Sequence, residues 1–226
     1  MKRLLAMTAG AVVAVTLTAG VAGAQTTPRL DQLKQRGDTE IQRRLDTLHA
    51  DSTLVAGATH LADGDRTQLT AIITHDSDGL RALKTKVDGE TQLAPLVDDL
   101  RSVVDDYRVY VLVEPQVHLT VAADRGLAIV GFFDDIAPKL QHAIDTAKAN
   151  GKDTTAAQAA LDDLKAKVAD ASTQASGVPG AVLPLTPAGY PGNVDTLRTA
   201  RSSIGTARDD LKAARADAAT VVTALR

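Results

Sequence analysis

The stretch from Asn193 to Arg226, NVDTLRTARSSIGTARDDLKAARADAATVVTALR, carries a seven-residue pattern that decides how this chain folds. Apolar residues recur at two positions of each heptad, and these are the a and d positions of a helix that packs lengthwise against another helix. The stretch therefore predicts a coiled-coil-like C-terminal helix. The a positions hold Leu197, Ile204, Leu211, Ala218 and Leu225, and the d positions hold Ala200, Ala207, Ala214 and Val221.

The charged positions beside this seam indicate which partner helix it accepts. Two antiparallel copies would set columns of arginine against each other, so we exclude that dimer. A partner helix in the same chain is favoured, with Lys167 of the preceding helix facing the aspartates, and a parallel homodimer is the second choice. The e positions hold Arg201, Arg208 and Arg215, and the g positions include Asp210 and Asp217.

Apolar stripes at helical spacing extend over most of the remaining chain and predict an all-α fold, an elongated antiparallel bundle of five or six helices. Capping and breaking residues give the predicted boundaries. The predicted helices run from Pro28 to Gly57, from the capping box of Asp65 and Gln68 to Gly89, from about Gln92 to an interruption at Pro115, from there to Asn150 with a kink at Pro138, and onward from a cap at Asp153.

A segment rich in proline and glycine, residues 177–193, separates the last two predicted helices. We expect no regular helix there, because that density of helix breakers prevents one. Val182, Leu183 and Tyr190 are apolar and predict an ordered, packed connector. The predicted organisation is a signal peptide over 1–24, a helical bundle over 25–176, the connector over 177–193, and a final helix over 194–226 that is capped by Asn193 and packs on the bundle.

The stretch YRVYVLVEPQVHLTVA, residues 107–122, fits two structures. Its β-branched residues and alternating pattern suit a small β-hairpin that turns at Glu114-Pro115-Gln116. A lone hairpin has marginal stability, and both flanking segments are strongly helical. We therefore favour helix over 107–122 and keep the hairpin as the alternative.

The N-terminus is typical of a secretory signal. Lys2 and Arg3 precede an apolar run, and Ala22-Gly23-Ala24 forms a small-residue cleavage site before Gln25. We expect cleavage between Ala24 and Gln25, which predicts a secreted or cell-envelope protein with no membrane segment after signal removal. A retained anchor is the alternative, because the uncharged run approaches the length of about 20 residues that spans a bilayer.

Composition and motifs exclude several function classes. The net charge of −3 gives no electrostatic footprint for nucleic acid, and the chain has no cysteine to serve as a nucleophile. Five histidines are present, and His75 with Asp78 or His142 with Asp145 could share a helix face. Such pairs are more often solvated than catalytic, so we expect no metal, no cofactor and no catalytic residues.

Two of the chain's three tyrosines, two arginines and a histidine lie between residues 107 and 125, and we take these side chains as the candidate interaction surface. The segment DYRVYVLVEPQVHLTVAADR, residues 106–125, together with the signal sequence and LPLTPAGYPGN, resembles uncharacterised secreted helical proteins of high-GC Gram-positive bacteria. That resemblance implies no assigned activity. The residues of the surface are Tyr107, Arg108, Tyr110, His118 and Arg125.

We therefore expect an exported, non-enzymatic structural or interaction module that acts through helix surfaces. A protein partner or self-association fits this role, and the sequence specifies no small-molecule ligand. The alternative is a metal-binding or hydrolytic enzyme that uses His118 or His75 with nearby carboxylates. Association with lipid ranks last, because whole helix faces lack the excess of lysine and arginine that anionic lipid attracts.

Overall fold

The computed structural model describes the backbone of residues 20–226 and the side chains from Thr27 onward. Within that part of the chain every regular element is helical, so the all-α prediction is confirmed and the hairpin alternative at 107–122 is wrong. The elements are α1 (Gly20–Gly57), α2 (Asp63–Gly89), α3 (Leu93–Asp105), a π-helical turn (Val109–Val113), α4 (Glu114–Ala149), α5 (Thr155–Ser176), α6 (Val178–Val182), a 3-10 turn (Pro187–Gly189) and α7 (Asn193–Ala224).

Helix α1 begins earlier than the sequence predicts, with Pro28 inside it rather than in its first turn. Most of the predicted signal sequence, residues 1–19, lies outside the described residues, and the predicted cleavage junction Ala24-Gln25 falls within the helical segment. In a chain that began at Gln25, Pro28 would stand in the first turn of the helix. Proline is tolerated there because N–H groups of the first turn have no carbonyl partner within the helix.

Neighbouring helices in the sequence pack antiparallel, but two pairs of long helices run parallel. Lys34 of α1 donates to the carbonyl of Asp88 on α2 at 2.8 Å, and Asp38 of α1 binds Lys84 of α2 at 2.9 Å, so the numbering rises along one helix as it falls along the other. By contrast, Arg44 of α1 lies beside Tyr110 and Asp51 beside His118, so α1 and α4 advance in the same direction. Helices α4 and α7 also run parallel, with the antiparallel α5 packed against both.

Two hydrophobic cores lie along the molecule. The first joins α1, α2 and α3 to the beginnings of α4 and α7, with Ile41, Leu69 and Leu96 fully buried. The second joins the later part of α4 to α5 and the later part of α7, with Leu161 and Leu164 at its centre. Because α4 and α7 contribute residues to both cores, these two helices connect the two cores.

The heptad seam of α7 packs within this chain. All of its d positions are buried, and Lys167 of α5 donates to Asp217 at 2.6 Å, the contact that the charge pattern predicts. Leu197, Ala200 and Ile204 belong to the first core. From Ala207 onward the seam belongs to the second core. One continuous heptad pattern therefore serves both cores in turn.

The capping box predicted at Asp65 and Gln68 is wrong. Helix α2 begins at Asp63, and no side chain of its own first turn caps it. Instead the backbone N–H of Ala62 donates to Oδ2 of Asp124, at 2.7 Å, from α4. A carboxylate 62 residues away along the chain fills the place that a local cap would take.

The predicted caps of the last two helices have different outcomes. Helix α5 begins at Thr155, so its N-cap position is Thr154, one residue after the predicted Asp153. Oδ1 of Asp153 still accepts from the backbone N–H of Thr155 at 2.9 Å. Asn193 does not cap α7, because its Nδ2 donates to the carbonyl of Thr186 at 2.7 Å. The asparagine therefore fixes the connector rather than the helix end.

The connector is ordered, and contrary to expectation it contains a short helix, α6. Pro179 is tolerated because it stands in the first turn of that helix. Val182 is fully buried, and Nε2 of the buried Gln116 on α4 donates to its carbonyl at 2.8 Å and to that of Leu185 at 3.0 Å. A side chain of α4 thus supplies hydrogen bonds that the irregular backbone cannot make for itself.

Candidate interaction surface

The turn between α3 and α4 forms the centre of the candidate surface. Arg108 has a φ of 44°, in the left-handed region that residues other than glycine rarely adopt. Its guanidinium lies 4.1 Å from the centre of the Tyr190 ring and 3.2 Å from Oδ1 of Asp105. The ring contact links the turn to the connector, so tertiary structure holds the unfavourable backbone conformation in place.

This turn corrects the predicted third helix. The apolar stripe of that helix includes Val104 and Val111, so the sequence predicts an unbroken helix to Pro115 that buries both, but α3 ends at Asp105. Beyond Arg108 the backbone N–H of Glu114 donates to the carbonyl of Val109, which makes a π-helical turn that leads into α4. The break reverses the expected burial, because Val104 is 47% exposed and Val111 is 45% exposed.

Tyr110 lies on the other side of the turn, against α1. The guanidinium carbon of Arg44 lies 5.0 Å from the centre of its ring, and Arg44 also binds Glu40 at 2.9 Å. Arg44 is buried while the tyrosine is 41% exposed. Two tyrosines, Tyr110 and Tyr190, are therefore each held against an arginine and remain partly open to solvent.

Tyr107 is mainly a packing residue. Its ring crosses α2 at Gly79, where an added Cβ would lie 2.5 Å from the ring. Burial, and then the charges of Asp106 and Asp76, raise the pKa of the Tyr107 hydroxyl. The glycine gives the ring room, which fixes the end of α3 over α2.

His118 lies beside the carboxylate of Asp51, a residue that is distant from it in the sequence. Its Nε2 lies 3.7 Å from Oδ1 of Asp51, which is buried on α1. Burial raises the pKa of Asp51 although the charge of His118 opposes the change. The His118 side chain is 56% exposed, so this pair lies at the protein surface.

The local histidine pairs suggested by the sequence do not form. Asp78 binds Arg81 at 2.8 Å instead of His75, and Asp145 accepts from Nε2 of Gln141 at 3.1 Å instead of from His142. Across residues 20–226, no group of three or more histidines and carboxylates is placed to hold a metal ion. The same part of the chain contains no helix that is long and apolar enough to cross a membrane.

Arg125 is separate from the other four residues of the predicted surface. It lies on the α7 side of α4 and lines a groove with Arg208 and Arg215, whereas His118 faces α1. The structure therefore divides the predicted surface into two. We name the first the turn surface. Its exposed members are Val104, Tyr110, Val111 and Tyr190, and the half-buried Arg108 lies between them in the turn.

Sequence reasoning missed three members of the turn surface. Val104 and Val111 were expected to be buried, and Tyr190 was expected only to help pack the connector. Tyr190 lies in a segment without helical periodicity, so no spacing rule connects it with Arg108. The one available signal was the combination of tyrosine and arginine, two residue types enriched in protein interfaces.

Comparison with protein-family models, with curated proteins and with solved structures gives no match to this chain.

Proposed function

We propose that this protein is an exported, non-enzymatic interaction module that binds a protein partner through the turn surface. The observation that carries the proposal is the set of partly exposed apolar and aromatic side chains around Arg108. Tyrosine and arginine dominate the binding energy of many protein interfaces, and prior ordering reduces the entropy lost on binding. The contacts of Arg44 and Arg108 with the two tyrosine rings supply such ordering.

Export is proposed from the N-terminal sequence. The basic start, the apolar run and the Ala22-Gly23-Ala24 site support secretion or retention in the cell envelope. Mass spectrometry of the protein from the culture medium should find a chain that begins at Gln25. Recovery of the full chain only from the cytosol would contradict this part of the proposal.

A pair of matched valines tests the binding surface. Val111 lies in the turn surface and Val222 lies near the end of α7, and they are 45% and 44% exposed. Tagged wild-type protein incubated with secreted fractions should capture a partner, and Val222→Asp should capture it equally well. Val111→Asp should reduce the capture about tenfold or more, because a charge buried in an apolar contact is strongly unfavourable.

Two results would contradict this proposal. One is capture that is equal for the two aspartate variants. The other is the absence of any captured partner together with a monomer in sedimentation, since self-association through the same surface is the other form of the proposed role.

The second candidate function is a metal-binding or hydrolytic centre at His118, and the contact with Asp51 favours it over His75. A carboxylate beside a histidine orients the imidazole in many general bases. We rank it second because catalytic zinc sites use three protein ligands, and this pair provides two. Zinc titration followed by calorimetry, on wild type and His118→Ala, separates this candidate from the first.

A further inference from the structure

A groove between α4 and α7 forms a second surface, distinct from the turn surface. The two helices run parallel and enclose a volume of about 560 Å³. The groove lies where the first core gives way to the second. Its apolar lining includes Ile129, Phe133, Ala175, Ile204, Ala207 and Leu211.

The apolar character continues outward along α4. Ile129 is 38% exposed, and Phe132, three residues further on and so on the same side of the helix, is 58% exposed. Phe132 is the most exposed large hydrophobic residue in the described part of the chain. Its ring rests edge-on against Phe133, with the ring centres 5.7 Å apart. Exposed apolar surface on α4 therefore extends from Ile129, at the groove, to Phe132.

The charged residues around this groove are all cations. Arg125 comes from α4, and Arg208, Lys212 and Arg215 come from α7, while no carboxylate is among the lining residues. Within the described side chains, the only ion pair of these four joins Arg208 to its neighbour Asp209 at 3.6 Å. That pair is highly exposed and contributes little. A chain with net charge −3 thus keeps four cations together around one apolar groove.

The spacing of the cations indicates the shape of the occupant. Arg208 and Arg215 are seven residues apart, which separates them by about 10 Å along the helix axis. Arg201 continues the same column one heptad earlier. A carboxylate repeated every seven residues on a parallel or antiparallel helix would match this column, as in the flanking positions of coiled coils. An acyl chain with a single carboxylate would use one cation of the four.

We propose that the α4–α7 groove binds an acidic amphipathic helix of a partner protein. Apolar residues of that helix would fill the groove over Ala207 and Leu211, and its carboxylates would bind Arg125, Arg208 and Arg215. This is the helix-in-groove mode of recognition, with apolar anchors for affinity and charges for orientation. The inference rests on the proposed function only in that both are binding roles, since the two surfaces are different.

A designed peptide tests the groove without knowledge of the natural partner. The probe is a dye-labelled helix of about three heptads with leucine at a and d and glutamate at e and g. Fluorescence anisotropy should show binding to the full protein. Replacing the glutamates by glutamine should weaken it about tenfold or more, and added salt should also weaken it.

Matched charge reversals locate the site. Arg208→Glu with Arg215→Glu should weaken peptide binding about tenfold or more. The control is Arg43→Glu with Arg81→Glu, which changes the net charge equally at two exposed arginines away from the groove. The control should retain binding within about twofold. All four side chains are exposed, and circular dichroism checks that both variants keep their helices.

Several outcomes would overturn the inference. One is that both double variants weaken peptide binding equally. A second is that the wild-type protein binds no peptide up to about 1 mM. A third is that it binds palmitate or phosphatidylglycerol vesicles in preference to the peptide. Concentration-dependent dimerisation that Arg208→Glu with Arg215→Glu abolishes would assign the groove to a second copy instead. If Val111→Asp abolishes partner capture while the groove variants leave peptide binding unchanged, the proposed function stands and this inference fails. The reverse pattern rejects only the turn surface.

Discussion

Within residues 27–226 four aspartates are buried, and their carboxylates have different surroundings. Asp99 binds Lys86 at 2.5 Å, and Asp124 accepts from a backbone N–H. Asp51 has His118 within 3.7 Å. Asp76 is 5% exposed, and its Oδ2 is buried without a hydrogen-bond donor. Burial accordingly raises the pKa of Asp76 to about 6, although the charge of His75 opposes the change.

Asp76 should make the protein less stable as the pH rises. Its pKa is above the ordinary value of 3.8, so the folded state holds the proton more tightly than the unfolded state. The favourable contribution is complete below about pH 4 and is lost as the pH rises through about 6. We expect Asp76→Asn to raise the free energy of unfolding by about 1 to 3 kcal/mol at pH 7, with no gain at pH 3.5.

Urea unfolding at both pH values measures this difference. The control is Asp78→Asn, an exposed aspartate on the same helix that binds Arg81, which should change stability by less than about 0.5 kcal/mol. If Asp76→Asn raises the free energy of unfolding equally at both pH values, the Asp76 carboxyl group does not titrate as its burial implies.

At the scale of the element, the start of α2 depends on a residue of α4. Asp124 is buried, and its carboxylate accepts from the N–H of Ala62 across the interface. Arg66 strengthens the same junction, because its guanidinium donates to the carbonyls of Val55 and Ala58 at the end of α1. One long-range contact, from Asp124, and two hydrogen bonds from the nearby Arg66 thus hold the turn between α1 and α2.

Asp124→Ala should destabilise the protein by about 1 to 3 kcal/mol, because it leaves a backbone N–H at a helix start without its acceptor. The amide of Ala62 should also exchange its hydrogen faster than in the wild type. Asp134→Ala is the matched control, since Asp134 lies on the same helix and is exposed. A loss of stability without faster exchange at Ala62 would assign the effect to packing rather than to the cap.

The sequence predicts the helices from their apolar stripes, and it fails where distant contacts decide the backbone. Leu69, Ile73 and Leu80 repeat at helical spacing, and all are buried in α2. The helix end at Asp105 follows no such local rule, because the unusual backbone of Arg108 is held by Tyr190, a residue of the connector. The same holds for the cap of α2, whose acceptor Asp124 is remote in the sequence.

The candidate surfaces were visible in the sequence only in part. The arginines at positions 201, 208 and 215 are evident as one side of the heptad pattern. Their role depends on which residues face them across the groove, and heptad positions within one helix do not give that. Arg125 was selected for its neighbours in sequence, and the structure shows that its neighbours in space are those of α7.

At the scale of the whole molecule, the shared helices should make the two cores unfold together. Tyr107, Tyr110 and Tyr190 all contact elements of the first core, and the chain has no tryptophan. Tyrosine fluorescence therefore reports on the first half, while far-UV circular dichroism reports on all helices. Leu164, at the centre of the second core, is 1% exposed.

Leu164→Ala should destabilise the protein by about 2 to 5 kcal/mol. Because α4 and α7 belong to both cores, the tyrosine signal and the helical signal should shift to the same lower midpoint in urea. Val222→Ala, at an exposed position of α7, should leave both midpoints nearly unchanged. Separate midpoints in the Leu164 variant would mean that the two cores unfold independently.

In the second half of the molecule two parallel helices, α4 and α7, are opposed by one antiparallel helix, α5, so their dipoles cancel only in part. Each helix carries a macrodipole of about half an elementary charge at either end, and those of α4 and α7 add instead of cancelling. The negative ends of both lie at one end of the second core, where Lys148 occupies the last turn of α4. Lys152 donates there to the carbonyl of Leu225 at 2.8 Å, so lysines at this end offset the combined field of the two aligned helices.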